Sequence, residues 1–354
     1  MRKLKKKPSS SKKVEEENNT PEFSSSTPPP SYSYDDEDLL STGSTLLDLA
    51  ILGGRSKFGG IPKGKIVEIF GPESSGKTAL LSEACSAAQS KGGKILFLDP
   101  EGRLDKEYSL LYGLDIKEEN YFMPDTVEEV FQIIRDWEPS SDKLIDVIAC
   151  DSLAALSTKM EMEDKDQYGM RRAKEFSEGL RRIAREVAKK GIILLLTNQV
   201  RENIGVTFGE KEVTPGGRAV RFYSSLRIRV GPAKTNSKIK KVVNIGKNKI
   251  EKVIGITSNC IVKKSSVDDP FRSADISIIF SYGIDDIRDM LKYQKAVLGW
   301  GTYQVKGKSF KALDDAIDFV EENDLYMFLK ESTAELWREI ESKFKSSRKK
   351  KRGI

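Results

Sequence analysis

The stretch "IVEIFGPESSGKTALL", residues 66–81, decides the fold of this chain. An apolar run (Ile66, Val67, Ile69, Phe70) leads into Gly71-Pro72-Glu73-Ser74-Ser75-Gly76-Lys77-Thr78, and "KTALLSEACSAAQS" then reads as a helix. The turn fits G-x-x-x-x-G-K-[ST], a pattern that carries meaning where it joins a strand to a helix, as it does here. The chemistry follows from that geometry. Gly71 and Gly76 let the backbone bend until successive N–H groups converge on one cluster of phosphate oxygens. The helix opening near Gly76 adds the positive end of its dipole. Lys77 is placed to neutralise β/γ-phosphate oxygens, and the Thr78 hydroxyl to ligate Mg²⁺. The sequence therefore predicts a nucleoside triphosphate site.

Such a site needs a second carboxylate for the metal at the end of a neighbouring strand, and "LIDVIACDS" supplies Asp151 after an apolar run. It also needs a group to orient the attacking water. Glu101 follows "KILFLDP" at the tip of another strand, where it faces the γ-phosphate or, on spacing alone, is a solvated loop acid. "TNQ" (197–199) ends a further strand with an amide, so Gln199 can touch the γ-phosphate on one side and the following loop on the other, as a nucleotide sensor does.

That loop, "VRENIGVTFGEKEVTPGG" (200–217), carries four glycines, one arginine and scattered apolar residues. Long loops inside a compact domain are uncommon unless functional. Glycine hinges, apolar tips and a cation suit a segment that orders on single-stranded nucleic acid. A second loop, "KMEMEDKDQYGMRRAK" (159–174), follows the Asp151 strand and ends basic, and Arg171, Arg172, Lys174 and Arg181 recur along the next helix. The bland alternative for both loops is a surface lid.

The 354 residues hold one large domain plus a smaller one, and a hydrophobic content of 38% supports a real core. Apolar runs are too short to span a membrane. "MRKLKKKPSSSKK" is basic without an apolar region after it, which reads as no secretory leader. Cys85, Cys150 and Cys260 are widely spaced and fit buried thiols of a reducing compartment. Histidine is absent, which excludes Ser-His hydrolase chemistry and most transition-metal sites. Net charge is +6, distributed unevenly. Residues 1–13 carry seven Lys/Arg and no acid, 14–38 eight acids and no base, and the last twelve residues seven bases and no acid. The interior sums to zero, apart from a local basic stretch, "KTNSKIKKVVNIGKNKIEK" (234–252). Basic tails of this kind are solvated or act as DNA-contacting arms.

Residues 1–38 are rich in Ser, Pro and charge and are expected to be disordered. From Leu39 strands alternate with helices. Strands are expected at 65–70, 94–99, 145–151, 192–198, 226–230, 259–264 and 274–280, and helices at 77–90, 104–112, 126–137 and 170–190. The early strands are continuous apolar runs, as in a parallel sheet covered on both faces. The later ones lack long helices between them and suggest an antiparallel extension.

Taken in order, "STGSTLLDLAILGG", "GGIPKGKIVEIFGPESSGKT", "FLDPEGRLDKEY", "DSLAALSTKMEME", "NQVRENIGVTFG" and "TPGGRAVRFYSSLRI" resemble the signature segments of the RecA family, bacterial homologous-recombination ATPases, over about residues 40–284. The resemblance implies an α/β fold, a RecA-like P-loop core with a mostly parallel twisted sheet flanked by helices, plus a small C-terminal α-rich domain. The boundaries expected are a low-complexity segment at 1–38, the core at 39–284, a small domain at 285–342 and a basic tail at 343–354. It implies ATP and Mg²⁺ as cofactors, with Glu101 as catalytic glutamate, Lys77 on phosphate, Asp105 and Tyr108 on adenine, and Gln199 coupling ATP to DNA. DNA contacts fall on Arg172, Lys174, Arg181, Arg201, Ile204, Gly216 and Gly217, with Ile204 wedging between bases. Arg221 and Phe222 match subunit-interface positions, Arg221 standing where the family has a lysine. Of the two family lysines that reach a neighbour's ATP, aligning on "DPFRSAD" places Lys264 at one and Ser266 at the other, with Lys263 adjacent. The implied partners are single- and double-stranded DNA and further copies in a helical filament, with no membrane, in the bacterial cytoplasm or nucleoid. Two departures stand out: the low-complexity 1–38 stretch replaces the family's N-terminal packing module, and the tail is basic where the family's is usually acidic. An accessory ATPase without strand exchange and a hexameric helicase motor are the alternatives; the 199–217 segment is not expected in helicases.

Overall fold

The computed structural model describes residues 32–156, 170–202, 212–214, 217–235, 237–346 and 348. Its centre is a ten-stranded sheet. The strands are β1 (Ile66–Gly71), β2 (Ile95–Leu98), β3 (Tyr121–Phe122), β4 (Val147–Cys150), β5 (Ile193–Gln199), β6 (Leu226–Pro232), β7 (Lys238–Ile245), β8 (Asn248–Ser265), β9 (Ser273–Ile279) and β10 (Gly283–Ile284). They lie in the order β10-β9-β8-β6-β1-β5-β4-β2-β3, with β7 pairing β8 off that path. From β6 to β3 all neighbours are parallel. The β6–β8, β8–β9, β9–β10 and β7–β8 pairs are antiparallel, which is the extension the late strands suggested.

Every residue of β1 is buried, so an apolar run without alternation is what this position requires. The helices are α1 (Thr45–Leu52), α2 (Lys77–Ser90), α3 (Lys106–Leu110), α4 (Val127–Asp136), α5 (Met170–Lys190), α6 (Gly217–Tyr223), α7 (Asp286–Leu298), α8 (Leu313–Glu322) and α9 (Tyr326–Phe344). On one face of the sheet Leu47, Leu49 and Leu81 of α1 and α2 pack with Ile69, Val147 and Ile276. On the other, Phe131, Ile134, Leu180 and Val187 of α4 and α5 pack with Leu96, Ile148 and Leu194. Both faces are thus covered, as a parallel sheet demands. The cysteines Cys85, Cys150 and Cys260 are free and buried. Among the described residues no helix is long and apolar enough to cross a membrane.

Helices α7 to α9 gather around a third cluster, Met290, Leu291, Ala316, Val320 and Leu329, together with a short hairpin, Tyr303–Val305 and Lys308–Phe310. This unit is joined to the main core by side chains as well as by sequence. Asp286 accepts from Thr45 N and Thr45 Oγ1, both at 2.7 Å, and Arg338 donates to Lys57 O at 2.6 Å. Trp337 of α9 packs into the main core.

Three elements depart from the sequence expectation. Helix α1 is absent from that expectation: all eight of its residues are buried, so there is no polar face to reveal a period. Residues 32–38, grouped above with the low-complexity segment, lie against the core, with Ser33 N donating to Arg55 O at 2.9 Å and Tyr34 packed on the main cluster. The basic stretch at 234–252 contains all of β7 and the first part of β8. Strand β8 pairs with β9 and β6 only from Gly255 onward, and before that it pairs with β7 alone. The two strands therefore run past the sheet as an arm.

Candidate nucleotide site

Strand β1 delivers the chain into the glycine-rich turn. Gly71 passes so close to β6 that a Cβ there would fall 1.8 Å from Val230 O. Gly76 caps α2 with φ +92°, a left-handed conformation that suits glycine, and its Cβ would meet Ile278 Cδ1 at 2.4 Å. The turn is braced from within, Ser75 Oγ donating to Pro72 O at 2.8 Å, and from β8, where Ser258 Oγ donates to Ser75 O at 2.7 Å. The cradle is set by packing that side chains would disrupt.

Around it the strand ends converge on a cavity of about 420 Å³, lined by Lys77, Thr78, Glu101, Tyr108, Asp151 and Gln199 among others. Thr78 Oγ1 donates to Asp151 Oδ2 at 2.6 Å. Thr197, at the end of β5, donates its hydroxyl to the other Asp151 oxygen. Burial pushes the Asp151 carboxyl above the usual carboxylate value, against hydrogen bonds from Thr197 and Thr78 and the charge of Lys77. Lys77 Nζ donates to Gly71 O at 3.1 Å and Pro72 O at 2.7 Å. Burial holds its ammonium below the usual lysine value, opposed by Asp151, Glu73 and Glu101. An anion beside Lys77 and a hard cation beside the Thr78 and Asp151 oxygens would each offset that desolvation, and an all-oxygen donor pair suits Mg²⁺ carried by a nucleotide. The residues fit the group.

Glu101 is held on both oxygens. Ser152 Oγ donates to Oε1 at 2.8 Å, and Arg103 pairs with Oε2 at 2.7 Å. Asp99, just before it, accepts from Leu104 N and Tyr121 Oη, both at 2.8 Å, which fixes the loop that carries Glu101. Asp105 caps α3 by accepting from Tyr108 N at 2.9 Å, and Tyr108, 44% exposed, donates its hydroxyl to Phe280 O at 2.9 Å. Sequence reasoning missed Thr197, Ser152 and Arg103. The first two follow or precede named residues by position, but nothing local signals which carboxylate they reach.

The remaining site residues divide. Gln199 is half-buried at the end of β5 and Arg201 is exposed just beyond it, where 201–202 pairs with 212–213. Arg181 is exposed on α5, where Arg172 and Lys174 also lie, and Gly217 opens α6. Ile204 and Gly216 lie outside the described residues. Lys264 Nζ donates to Arg221 O at 2.7 Å and Phe222 O at 2.8 Å, so Lys264, Arg221 and Phe222 form one cluster, with Phe222 74% exposed. Lys263 is exposed beside it. This cluster lies at the opposite end of the sheet from the cradle, since Ser225 N, two residues past α6, donates to Ile66 O at the start of β1.

A family model described as RecA N-terminal domain matches residues 32–285. The RecA protein of Thermus thermophilus is 36% identical over 299 residues, covering 80% of this chain and 83% of that protein. Those of Crocosphaera subtropica and Clostridioides difficile are 37% and 35% identical over 294 and 305 residues, covering 81% of this chain and 79% and 81% of theirs. A RadB recombinase crystal structure aligns at 20% identity and TM-score 0.49, over 70% of this chain and 98% of that one. With the glycine cradle, the paired Thr78 and Asp151 and the parallel sheet all in place, the match over most of its length means that this chain belongs to the RecA family of homologous-recombination ATPases.

Proposed function

We propose that the protein is a DNA-dependent ATPase that assembles into helical filaments on single-stranded DNA and catalyses homologous pairing and strand exchange. The observation that carries the assembly is the separation of the two clusters along one strand. The cradle follows the end of β1, and the Lys264–Arg221–Phe222 cluster sits at its start. Six strand residues at about 3.3 Å each put roughly 20 Å between them. A cation at one end of the sheet cannot reach its own nucleotide but can reach that of a second copy stacked end on. Such a contact is heterologous, and repeated without closure it makes a helix.

In this reading Gly71 to Gly76 cradle the phosphates, Lys77 neutralises them, and Thr78 and Asp151 hold Mg²⁺. The metal, when bound, spreads charge off the transferring phosphoryl group. Glu101, fixed by Ser152 and Arg103, orients the attacking water. Gln199 stands between that chemistry and Arg201, at the root of the 200–217 segment. Contact with the γ-phosphate orders that segment on DNA, and hydrolysis releases DNA. Electron microscopy of the protein with ATPγS and single-stranded DNA tests the proposal. Continuous helical filaments are expected. Scattered particles on DNA would favour an accessory ATPase, and closed rings a helicase motor.

A further inference from the structure

The arm formed by β7 and β8 is not used by the nucleotide site, and its chemistry is distinctive. The stretch 234–252 holds seven lysines and one acid, Glu251, which pairs with Lys240 at 2.7 Å. Every residue from Lys240 to Lys252 is exposed, so the ribbon is wet on both faces. The pairing register sorts its side chains. Lys241 stands opposite Lys252, Val243 opposite Ile250 and Ile245 opposite Asn248, all on one face. Lys240, Asn244 and Lys249 lie on the other, and Lys247 is at the tip, beside Gly246 in a left-handed turn. Like charges directly opposite each other destabilise a strand pair. Among the described residues no acid pairs with Lys241, Lys252, Lys247 or Lys249. An isolated ribbon that carries an unrelieved lysine pair is built for an anion brought from outside.

We infer that this arm binds duplex DNA, lying in its major groove with lysines on both rims. The inference rests on the DNA-dependent reading above and names a further contact for it. Three features select the partner. A flat anionic surface would meet one face of the ribbon, whereas lysines on both faces suit walls of phosphate on two sides. The major groove of B-form DNA, about 12 Å wide, admits a two-stranded ribbon, and the deep groove of duplex RNA does not. The exposed aliphatics Val243, Ile245 and Ile250 share the face of Lys241 and Lys252 and suit the sugars of the wall that face meets. The arm also points the right way. It leaves the sheet from the end of β8 that lies beside the cradle, where Ser258 touches Ser75, so it projects from the same end as the segment after β5.

The test uses the full chain and a variant carrying Lys241→Gln, Lys247→Gln, Lys249→Gln and Lys252→Gln, all exposed positions outside the nucleotide site. Binding to a fluorescent duplex is measured by anisotropy across a salt series, and ATP turnover is measured with single-stranded DNA. The expected result is a salt slope shallower by about 0.9 for each phosphate no longer neutralised, up to about 3.6 for four, with single-strand-stimulated turnover within about twofold of the parent. The matching set of Lys→Arg changes should keep the parent's slope. An unchanged slope in the glutamine variant overturns the inference, as does an equal weakening on single strands. A change in the sedimentation of DNA-free protein, with duplex binding untouched, would make the arm a contact between copies and also overturn it. If the parent itself shows no DNA-stimulated turnover, the underlying reading fails; if it does and the variant keeps its slope, the arm assignment alone fails.

Discussion

Replacing Glu68 with leucine should cost the fold far more than any surface charge. Glu68 sits in the middle of β1 with its side chain fully buried, and Arg227 of β6 pairs with it while only 8% exposed. Asn198 Nδ2, one residue before Gln199, donates to the same carboxylate at 3.0 Å. Removing the acid strands a guanidinium between Phe70, whose ring centroid lies 4.3 Å away, and Lys264, whose ammonium is held below its usual value by burial and then by Arg227. Breaking a buried pair from one side costs about 3–5 kcal/mol, because the remaining charge is uncompensated. Neither group is exposed enough for solvent to screen that cost. Removing both charges, Glu68→Leu with Arg227→Leu, should recover most of it and leave about 1 kcal/mol for the lost hydrogen bond from Asn198 Nδ2 to Glu68.

Urea unfolding followed by circular dichroism measures this. With a slope of about 3 kcal/mol/M, the midpoint of Glu68→Leu should fall by about 1–1.7 M and the double variant should sit between it and the parent. Lys57→Ala is the control, since the Lys57–Glu331 pair is 43% and 47% exposed and should be worth under about 1 kcal/mol. A single variant no less stable than that control refutes the reasoning. So does a double variant whose loss equals the sum of the singles, because the two charges would then not be coupled.

Lys77→Ala should abolish ATP turnover by leaving phosphate charge uncompensated, and near-normal hydrolysis by the purified variant would overturn the site. Glu101→Gln should keep nucleotide binding while slowing turnover, since water positioning alone is removed; a failure to bind would instead make Glu101 structural. Gly179→Ala gains helix propensity of about 1 kcal/mol but puts a Cβ 1.8 Å from the buried Phe131 ring, so we expect a net loss of stability, and a raised thermal midpoint would contradict the packing. Burial pushes the carboxyls of Asp48, Glu83 and Asp289 up to about 6, about 7 and about 7. The folded protein therefore holds protons that the unfolded chain releases, and the stability this gives is full below about pH 4 and lost as pH rises through 6 to 7. The thermal midpoint should be higher at pH 6 than at pH 8 and the slope flatter in Asp289→Asn; a midpoint that climbs toward pH 8 tells against it.

What could be read without the structure is what local sequence controls. The glycine turn, Lys77 and Thr78 are consecutive, and the helix runs from Lys77 to Ser90 as expected. Asp151 and Glu101 follow apolar runs, so a strand end places them whatever the rest of the chain does. Thr197 and Ser152 were not legible as partners, because each comes from another strand than the carboxylate it reaches, whereas Arg103 lies two residues after Glu101 in the same loop. Thr197 reaches Asp151 and Ser152 reaches Glu101 only once β2, β4 and β5 lie side by side in that order. Glu68 in particular is one acid in an apolar strand, and nothing near it announces Arg227. The arm was hidden for a different reason: its doubled "KK" and "VV" blur the two-residue alternation that marks a strand.

Strand register separates the pair Lys263 and Lys264. Matching "DPFRSAD" to the family puts Lys264 at the position that reaches a neighbouring nucleotide. In the fold, however, the β6–β8 register slips between Arg227 and Ile228, so Arg227 faces Lys264 while Ile228 faces Val262. Lys263 is the extra residue of that bulge and stands exposed, while Lys264 turns inward onto the carbonyls of Arg221 and Phe222. A bulge re-aims side chains at little cost elsewhere. Here it uses one lysine to satisfy the end of α6 and leaves its neighbour, with no acceptor among the described residues, beside the exposed Phe222. On the end-on stacking proposed above, the cation left exposed toward a second copy would be Lys263, since Lys264 is engaged by the carbonyls of Arg221 and Phe222.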